Sequence, residues 1–214
     1  FDEYTKMSIP KSICCPNAEL PLRGPFYVND NNTEIIINCA GRTRSIIGAQ
    51  TLIEFGIKNN VKALENGTQG WFLSNLSLDP NKDEIIDILP NDLEIKKLQE
   101  KILNLIKKNN IKVINISQAQ QLIDDTNAST FVFNVTNTLE RKTINQIPNV
   151  PGGQLVQATD KYIGVWNSNV ILIDDGDLIR AGTTAMWLQK MNFNVHILKN
   201  GMLEASKLKL RQRF

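Results

Sequence analysis

Short apolar runs alternate with amphipathic stretches along this chain, and the alternation occurs twice. Residues 34–39 and 169–175 are each an apolar run that ends in polar residues, and each precedes a stretch, 42–55 or 178–191, whose apolar side chains recur every three or four residues. The runs predict buried strands, and the longer period predicts helices with one apolar face. Because parallel strands need a crossover between them, this order predicts an α/β fold with helices against parallel sheets.

The chain is organised as a duplication. Residues 61–67 match residues 195–201, each a strand that ends in an Asn-Gly turn, and the offset between matching positions stays near 134–138 residues, too long for a solenoid repeat. We predict two domains, residues 1–78 and 111–214, joined by a helical connector at 79–110. The second copy has a strand, a helix and a strand before the point that matches residue 1, so we expect the first domain to be amino-terminally incomplete.

Composition and charge exclude several classes of protein. Lys and Arg number 24 against 22 Asp and Glu, a net charge of +2, so the strong positive field that phosphate-backbone binding needs is missing. No apolar run approaches the ~18 residues that span a bilayer. We therefore expect neither nucleic acid nor a membrane as a partner.

One histidine and three cysteines narrow the chemistry further. Zinc sites and histidine-dependent triads or dyads use more of these residues, so we expect no metal, no cofactor and a reacting group that works without imidazole. An odd cysteine count without a spaced framework favours a reducing compartment, which predicts a cytoplasmic location. For the adjacent Cys14 and Cys15 we expect a buried structural role.

Candidate chemistry lies in the loop from Cys39 to Ser45, between a predicted strand and a predicted helix. In α/β proteins this position holds ligands, and the loop's N–H groups together with the helix N-terminus favour anions. The same field lowers the pKa of a nearby thiol, so Cys39 is the expected nucleophile. Gly41 permits the sharp turn, Arg44 is placed to hold the loop or an anion, and Arg42 is expected to face an anionic substrate. The predicted substrate-binding residues are Ala40, Gly41, Arg42, Thr43, Arg44 and Ser45.

The loop resembles the active-site loop of the rhodanese family, a cysteine, four intervening residues and then Arg with Ser or Thr, here Cys39 and residues 44–45. Residues 1–4 with 9–10 resemble the family's segment before its second strand, and residues 67–71 resemble its closing glycine-rich turn and Trp. The tandem arrangement is similar to that of multidomain sulfurtransferases. The resemblance implies two rhodanese-like α/β domains, each a parallel sheet flanked by helices.

The resemblance also implies an activity, that of a thiosulfate sulfurtransferase. Cys39 would take a sulfane sulfur from thiosulfate or a persulfide donor, hold it as a persulfide, and pass it to cyanide, a thiol or a protein. Two alternatives stay open: a non-catalytic module that binds a partner or senses oxidants, and a cysteine-dependent phosphatase. The phosphatase loop typically has five intervening residues around a larger anion, so it is the less favoured of these. The sequence leaves the oligomeric state open.

The second copy lacks the cysteine. Aligning the two helices pairs Cys39 with Asp175, Arg44 with Arg180 and Ser45 with Ala181. A carboxylate cannot form a persulfide, so we expect the second domain to be catalytically silent, with its Asp held stably among N–H donors and paired with Arg180. Asp174 to Asp177 also suggest calcium, but the terminal Glu of a calcium-binding loop is missing.

Overall fold

Two compact units make up the chain, Phe1–Asn91 and Asp92–Phe214. The computed structural model describes residues 2–28, 30–41, 43–80, 88–137 and 146–210. Within this part of the chain, no helix is long and apolar enough to cross a membrane. The same residues contain no group of three His, Cys, Asp or Glu side chains arranged to hold a metal ion.

The first unit is built around one long helix and a short parallel sheet. Its elements are α1 Asp2–Lys6, β1 Met7–Ser8, a 3-10 helix Asn17–Glu19, α2 Leu20–Arg23, a 3-10 helix Gly24–Phe26, β2 Ile35–Ile37, α3 Thr43–Phe55, β3 Val61–Ala63, α4 Gly67–Leu73 and β4 Asp79–Pro80. Strands β2 and β3 pair in parallel, and β1 and β4 form a separate antiparallel pair. The core lies between α3 and the parallel pair, where Leu52 and Ile37 are buried with Leu20, Ala49 and Val61.

A four-stranded parallel sheet forms the centre of the second unit. Its elements are α5 Asp92–Lys108, β5 Lys112–Ile114, α6 Ile116–Asp124, β6 Thr130–Asn134, α7 Gly152–Gln157, α8 Thr159–Tyr162, β7 Asn169–Ile173, α9 Ile179–Lys190, β8 Asn194–Leu198 and α10 Met202–Ala205. The strand order is β5-β8-β7-β6, and every neighbour is parallel. The predicted α/β class is therefore confirmed.

Helix α5, which the sequence assigned to a connector at 79–110, belongs to the second unit. Its apolar face is buried at Leu98, Ile102, Leu105 and Ile106. A Cβ on Gly182 of α9 would lie 2.7 Å from the Ile102 side chain, so the two helices approach closely. This burial is tertiary packing, which an isolated amphipathic pattern does not assign to a particular partner.

The two units differ in how far their sheets extend. Among the described residues, β2 and β3 are paired only with each other, whereas their counterparts β7 and β8 each have a second neighbour. Ile36 in the middle of β2 is 56% exposed, and Ile171 in the middle of β7 is fully buried. Ile171 lies in a buried cluster that includes Ala119 and Ile123 of α6. That the first domain is amino-terminally incomplete stays a prediction.

Candidate active site

Cys39 lies two residues beyond the end of β2 and four residues before the start of α3. This is the carboxyl edge of the parallel pair, the edge at which α/β proteins expose reactive groups. Cys39 is half-buried, Ala40 and Thr43 are exposed, and Gly41 is half-buried. The thiol is thus in a loop that solvent reaches, between a buried strand and a helix N-terminus.

Ser45 is the side chain that the structure brings to the thiol. Its hydroxyl oxygen Oγ lies 3.5 Å from Cys39 Sγ, within hydrogen-bond range for sulfur. Ser45 is 1% exposed on the first turn of α3, so its hydroxyl is held away from competing water. In the neutral form the thiol donates to this oxygen, and once the sulfur is ionised the buried hydroxyl can donate its proton to the thiolate.

Arg44, which was predicted to hold the loop or an anion, forms an ion pair with Glu3. Arg44 Nη1 lies 2.6 Å from Glu3 Oε2, and the Arg44 side chain is 32% exposed. The Arg44 carbonyl accepts a hydrogen bond of 2.7 Å from Asn17 Nδ2. Both contacts fix the start of α3 to the amino-terminal segment of the unit. Arg42, the other predicted arginine, lies outside the described residues.

The first turn of α4 fixes the other side of the loop, a role that the sequence analysis missed. The Thr68 N–H donates to the Cys39 carbonyl at 2.9 Å, and the Gln69 N–H donates to the Ala40 carbonyl at 3.0 Å. A Cβ on Gly67, which has φ +54, would collide with the Cys39 carbonyl oxygen. The matched Asn-Gly turns were the signal that this approach recurs in both copies.

The contacts of the Cys39 and Ala40 carbonyls with α4 also fix the direction of the N–H groups of Ala40 and Gly41. No peptide among the described residues is cis, so each N–H points away from the carbonyl of its own peptide unit. With the carbonyls of Cys39 and Ala40 directed at α4, the N–H groups of Ala40 and Gly41 point away from it. Two successive N–H groups with a common direction are the start of an anion nest.

Strand register aligns the two copies of the loop. In the first unit Ile35 of β2 pairs with Val61 of β3. In the second unit Val170 of β7 pairs with Val195 of β8. Because Val61 and Val195 match in the sequence repeat, Ile35 is the counterpart of Val170.

Four residues beyond these positions come Cys39 and Asp174, so the expectation that Asp175 replaces the cysteine is wrong. The same glycine contact supports Asp174, since a Cβ on Gly201 would collide with the Asp174 carbonyl oxygen as one on Gly67 would with that of Cys39. The second loop has one residue more before its arginine than the first. An alignment of the helices alone therefore shifts the loop by one position.

Asp174 fills the second loop with its own carboxylate. Asp174 Oδ1 accepts from the Gly176 N–H at 2.9 Å, and Oδ2 accepts from the Ala181 N–H at 3.1 Å. Asp174 is fully buried, and burial together with the neighbouring Asp177 raises its pKa to about 7. The N–H donors that were expected around Asp175 are thus held by Asp174 instead, and burial disfavours the charged form of that carboxyl. Arg180 pairs with Asp175 at 2.6 Å.

The other two cysteines are poor thiolates. Cys14 and Cys15 are free and half-buried, and burial raises the pKa of each thiol. Cys15 also packs against the core of the first unit. These properties agree with the expected structural role.

Comparisons with known proteins identify the family. The model of the rhodanese-like domain matches residues 1–74. A thiosulfate sulfurtransferase from Pseudomonas aeruginosa is 34% identical, with a TM-score of 0.90, and the match covers 99% of this chain and 41% of that one. The chain therefore spans less than half the length of that protein. No curated protein matches.

Two more distant solved structures also match. A rhodanese homologue from the extremely thermophilic bacterium Thermus thermophilus is 13% identical, with a TM-score of 0.34, over 44% of this chain and 99% of that one. A 3-mercaptopyruvate sulfotransferase from Escherichia coli is 13% identical, with a TM-score of 0.34, over 94% of this chain and 84% of that one. With the domain model and the Pseudomonas aeruginosa structure, the resemblance noted in the sequence is confirmed: the chain belongs to the rhodanese-type sulfurtransferase family.

Proposed function

We propose that the chain transfers sulfane sulfur through a persulfide on Cys39, taken from thiosulfate or a persulfide donor and delivered to cyanide, a thiol or a protein. The observation that carries the proposal is the thiol's position, half-buried at the carboxyl edge of β2 with the Ser45 hydroxyl 3.5 Å away. The similarity to the Pseudomonas aeruginosa thiosulfate sulfurtransferase supports the donor. A cytoplasmic location, where free cysteines stay reduced, is part of the same proposal.

The transfer proceeds in two displacements that need no external oxidant or reductant. The Cys39 thiolate attacks the outer sulfur of thiosulfate, a new sulfur–sulfur bond forms, and sulfite leaves with the electron pair of the bond that breaks. The acceptor then attacks the terminal sulfur of the persulfide. The bond to Cys39 breaks, and its electron pair returns to the enzyme as thiolate.

The loop stabilises negative charge through both steps. The Ser45 hydroxyl accepts from the Cys39 thiol at 3.5 Å and can donate to Sγ once the sulfur is ionised, and the N–H groups of Ala40 and Gly41 point to the side away from α4. The N-terminus of α3 adds a partial positive charge at the same place. Because these donors are fixed before the substrate arrives, little reorganisation accompanies the chemistry.

The second unit supplies no nucleophile in this proposal. All three cysteines lie within residues 14–39, and the loop of the second unit holds the Asp174 carboxylate on its own N–H donors. A carboxylate cannot accept sulfane sulfur. We therefore assign catalysis to the first unit alone.

Thiocyanate formation from thiosulfate and cyanide tests the proposal with the 214-residue chain and Cys39→Ala. The chain should form thiocyanate and the variant should not. An intact chain that forms none contradicts the proposal and favours a binding or redox-sensing module. Hydrolysis of a generic aryl phosphate that depends on Cys39 would instead indicate a phosphatase.

A further inference from the structure

A chain of hydrogen bonds reaches the backbone of Cys39 from behind the loop. Asn38 Nδ2 donates to Thr68 Oγ1 at 3.0 Å. Thr68 Oγ1 in turn donates to the Cys39 carbonyl at 3.3 Å, and the Thr68 N–H donates to the same oxygen at 2.9 Å. Because the Asn38 amide supplies a proton to the hydroxyl oxygen, the hydroxyl's own proton is left for the Cys39 carbonyl.

These hydrogen bonds therefore hold the peptide unit between Cys39 and Ala40 in one orientation. Two donors from Thr68 direct the Cys39 carbonyl at α4, and the Ala40 N–H of the same trans peptide points the opposite way. A carbonyl oxygen that rotated toward the thiol would place a partial negative charge beside a thiolate, which disfavours the ionised form. Fixing the carbonyl thus favours the charged sulfur.

Among its described residues, the second unit has no equivalent of the hydrogen bonds that the Asn38 and Thr68 side chains make. By strand register the counterpart of Asn38 is Ile173, and by the glycine contact the counterpart of Thr68 is Met202. The backbone bond is kept, since the Met202 N–H donates to the Asp174 carbonyl at 2.9 Å. The two polar side chains occur only in the unit that has the cysteine.

Asn38 occupies its position at a cost in stability. Its Oδ1 atom is buried and has no hydrogen-bond partner among the described residues. An unpaired buried acceptor lowers the free energy of unfolding. The fully buried Ile173 shows that an apolar side chain is accommodated at the equivalent place in the fold. A polar residue kept where an apolar one fits indicates a role other than stability.

We propose that Asn38 and Thr68 are positioning residues that act through the Cys39 carbonyl to keep the Cys39–Ala40 peptide turned for a charged sulfur. The inference rests on the proposed function of Cys39. Both side chains act on the backbone of the nucleophile, and neither is assigned contact with a substrate.

Thr68→Val tests the inference because it removes the hydroxyl and keeps the N–H. The measurement is the rate at which iodoacetamide alkylates Cys39 in the full chain at each pH from 5 to 10. Peptide mapping identifies Cys39 as the alkylated residue. We expect a rate about three- to tenfold lower at neutral pH, the effect of one hydrogen bond, with the pH midpoint moved upward. Thr68→Ser should restore both. Thr51→Val, which removes a hydroxyl bonded to the Ile47 carbonyl within α3, is the matched control and should change neither.

Asn38→Ile gives a second, independent test, since it installs the residue of the second unit. The variant should slow alkylation while its melting temperature stays equal or rises, and the double variant with Thr68→Val should be no slower than Thr68→Val alone. A wild-type pH profile in Thr68→Val overturns the inference, and so does additive slowing in the double variant. Absence of sulfur transfer in the wild-type chain would overturn the proposed function instead, because alkylation is measured without a sulfur donor.

Discussion

Asp174 occupies in the second unit the backbone position that Cys39 occupies in the first. Cys39 follows β2, and Asp174 follows β7. In each unit the carbonyl of this residue accepts a hydrogen bond from the N–H of the residue after a glycine with positive φ, which is Gly67 in the first unit and Gly201 in the second. The Asp174 carboxylate is held by two loop N–H groups. By analogy, an anion carried by Cys39 would meet the Gly41 and Ser45 N–H groups, and under the proposed function the identity of this side chain makes the first unit reactive and the second silent.

Burial of Asp174 predicts a pH-dependent stability of the second unit. Burial and the nearby Asp177 raise the pKa of Asp174 to about 7, so the folded state favours the protonated form more than the unfolded chain does. The stabilisation is complete below the unfolded pKa of about 3.9 and is lost as the pH rises through 7, a decrease of a few kcal/mol. Hydrogen exchange of the β7 amides in the full chain measures it.

Asp174→Asn should flatten this pH dependence, since the amide does not titrate. Asp160→Asn, at an exposed position on α8, is the matched control and should keep the wild-type slope. If Asp174→Asn loses protection between pH 5 and pH 9 as steeply as the wild type, another group is responsible.

The Ser45 hydroxyl should account for part of the reactivity of Cys39. Ser45→Ala removes a hydrogen bond to a charged sulfur, so sulfur loading from thiosulfate should slow by about ten- to hundredfold. Ser12→Ala removes a hydroxyl that donates to the Ile9 carbonyl in the same unit and should leave the rate unchanged. Equal rates in both variants and the wild type would mean that the 3.5 Å contact has no catalytic role.

Two glycines separate backbone strain from displacement of the loop. Gly67 and Gly56 both have positive φ, but a Cβ would collide with the Cys39 carbonyl only at Gly67 and has open space at Gly56. Gly56→Ala should cost about 1–2 kcal/mol of unfolding free energy, the left-handed penalty, and leave Cys39 alkylation unchanged. Gly67→Ala should cost more and slow alkylation. Equal effects of the two substitutions on Cys39 would contradict the assigned contact.

Cys14 and Cys15 should be dispensable for sulfur transfer. Burial raises the pKa of both thiols, so neither is ionised enough at neutral pH to compete with Cys39. Cys14→Ser should retain the transfer rate, and Cys15→Ser should lower stability because Cys15 packs against the core. A Cys14→Ser variant that loads sulfur but no longer releases it would show that Cys14 resolves the persulfide.

Local patterns carried much of the fold and of the candidate site. The predicted strand and helix on either side of Cys39 are present as β2 and α3, because burial and helical period leave a trace in neighbouring residues.

Longer-range relationships needed the structure. The one-residue difference between the two loops moves the cysteine's counterpart from Asp175 to Asp174, and the pairings of β2 with β3 and of β7 with β8 set that register. The contact between Thr68 and the Cys39 carbonyl joins residues far apart in sequence, so no hydrophobic periodicity in neighbouring residues predicts it. The partner of α5 is likewise a matter of packing between distant segments.

Mass spectrometry after incubation with thiosulfate tests the central claim most directly. The 214-residue chain is loaded, freed of excess donor, weighed intact and mapped by peptides under non-reducing conditions. We predict one added sulfur atom, located on Cys39 and absent from Cys39→Ser. A chain that gains no sulfur, or gains it on Cys14 or Cys15 while Cys39 stays unmodified, would contradict the account.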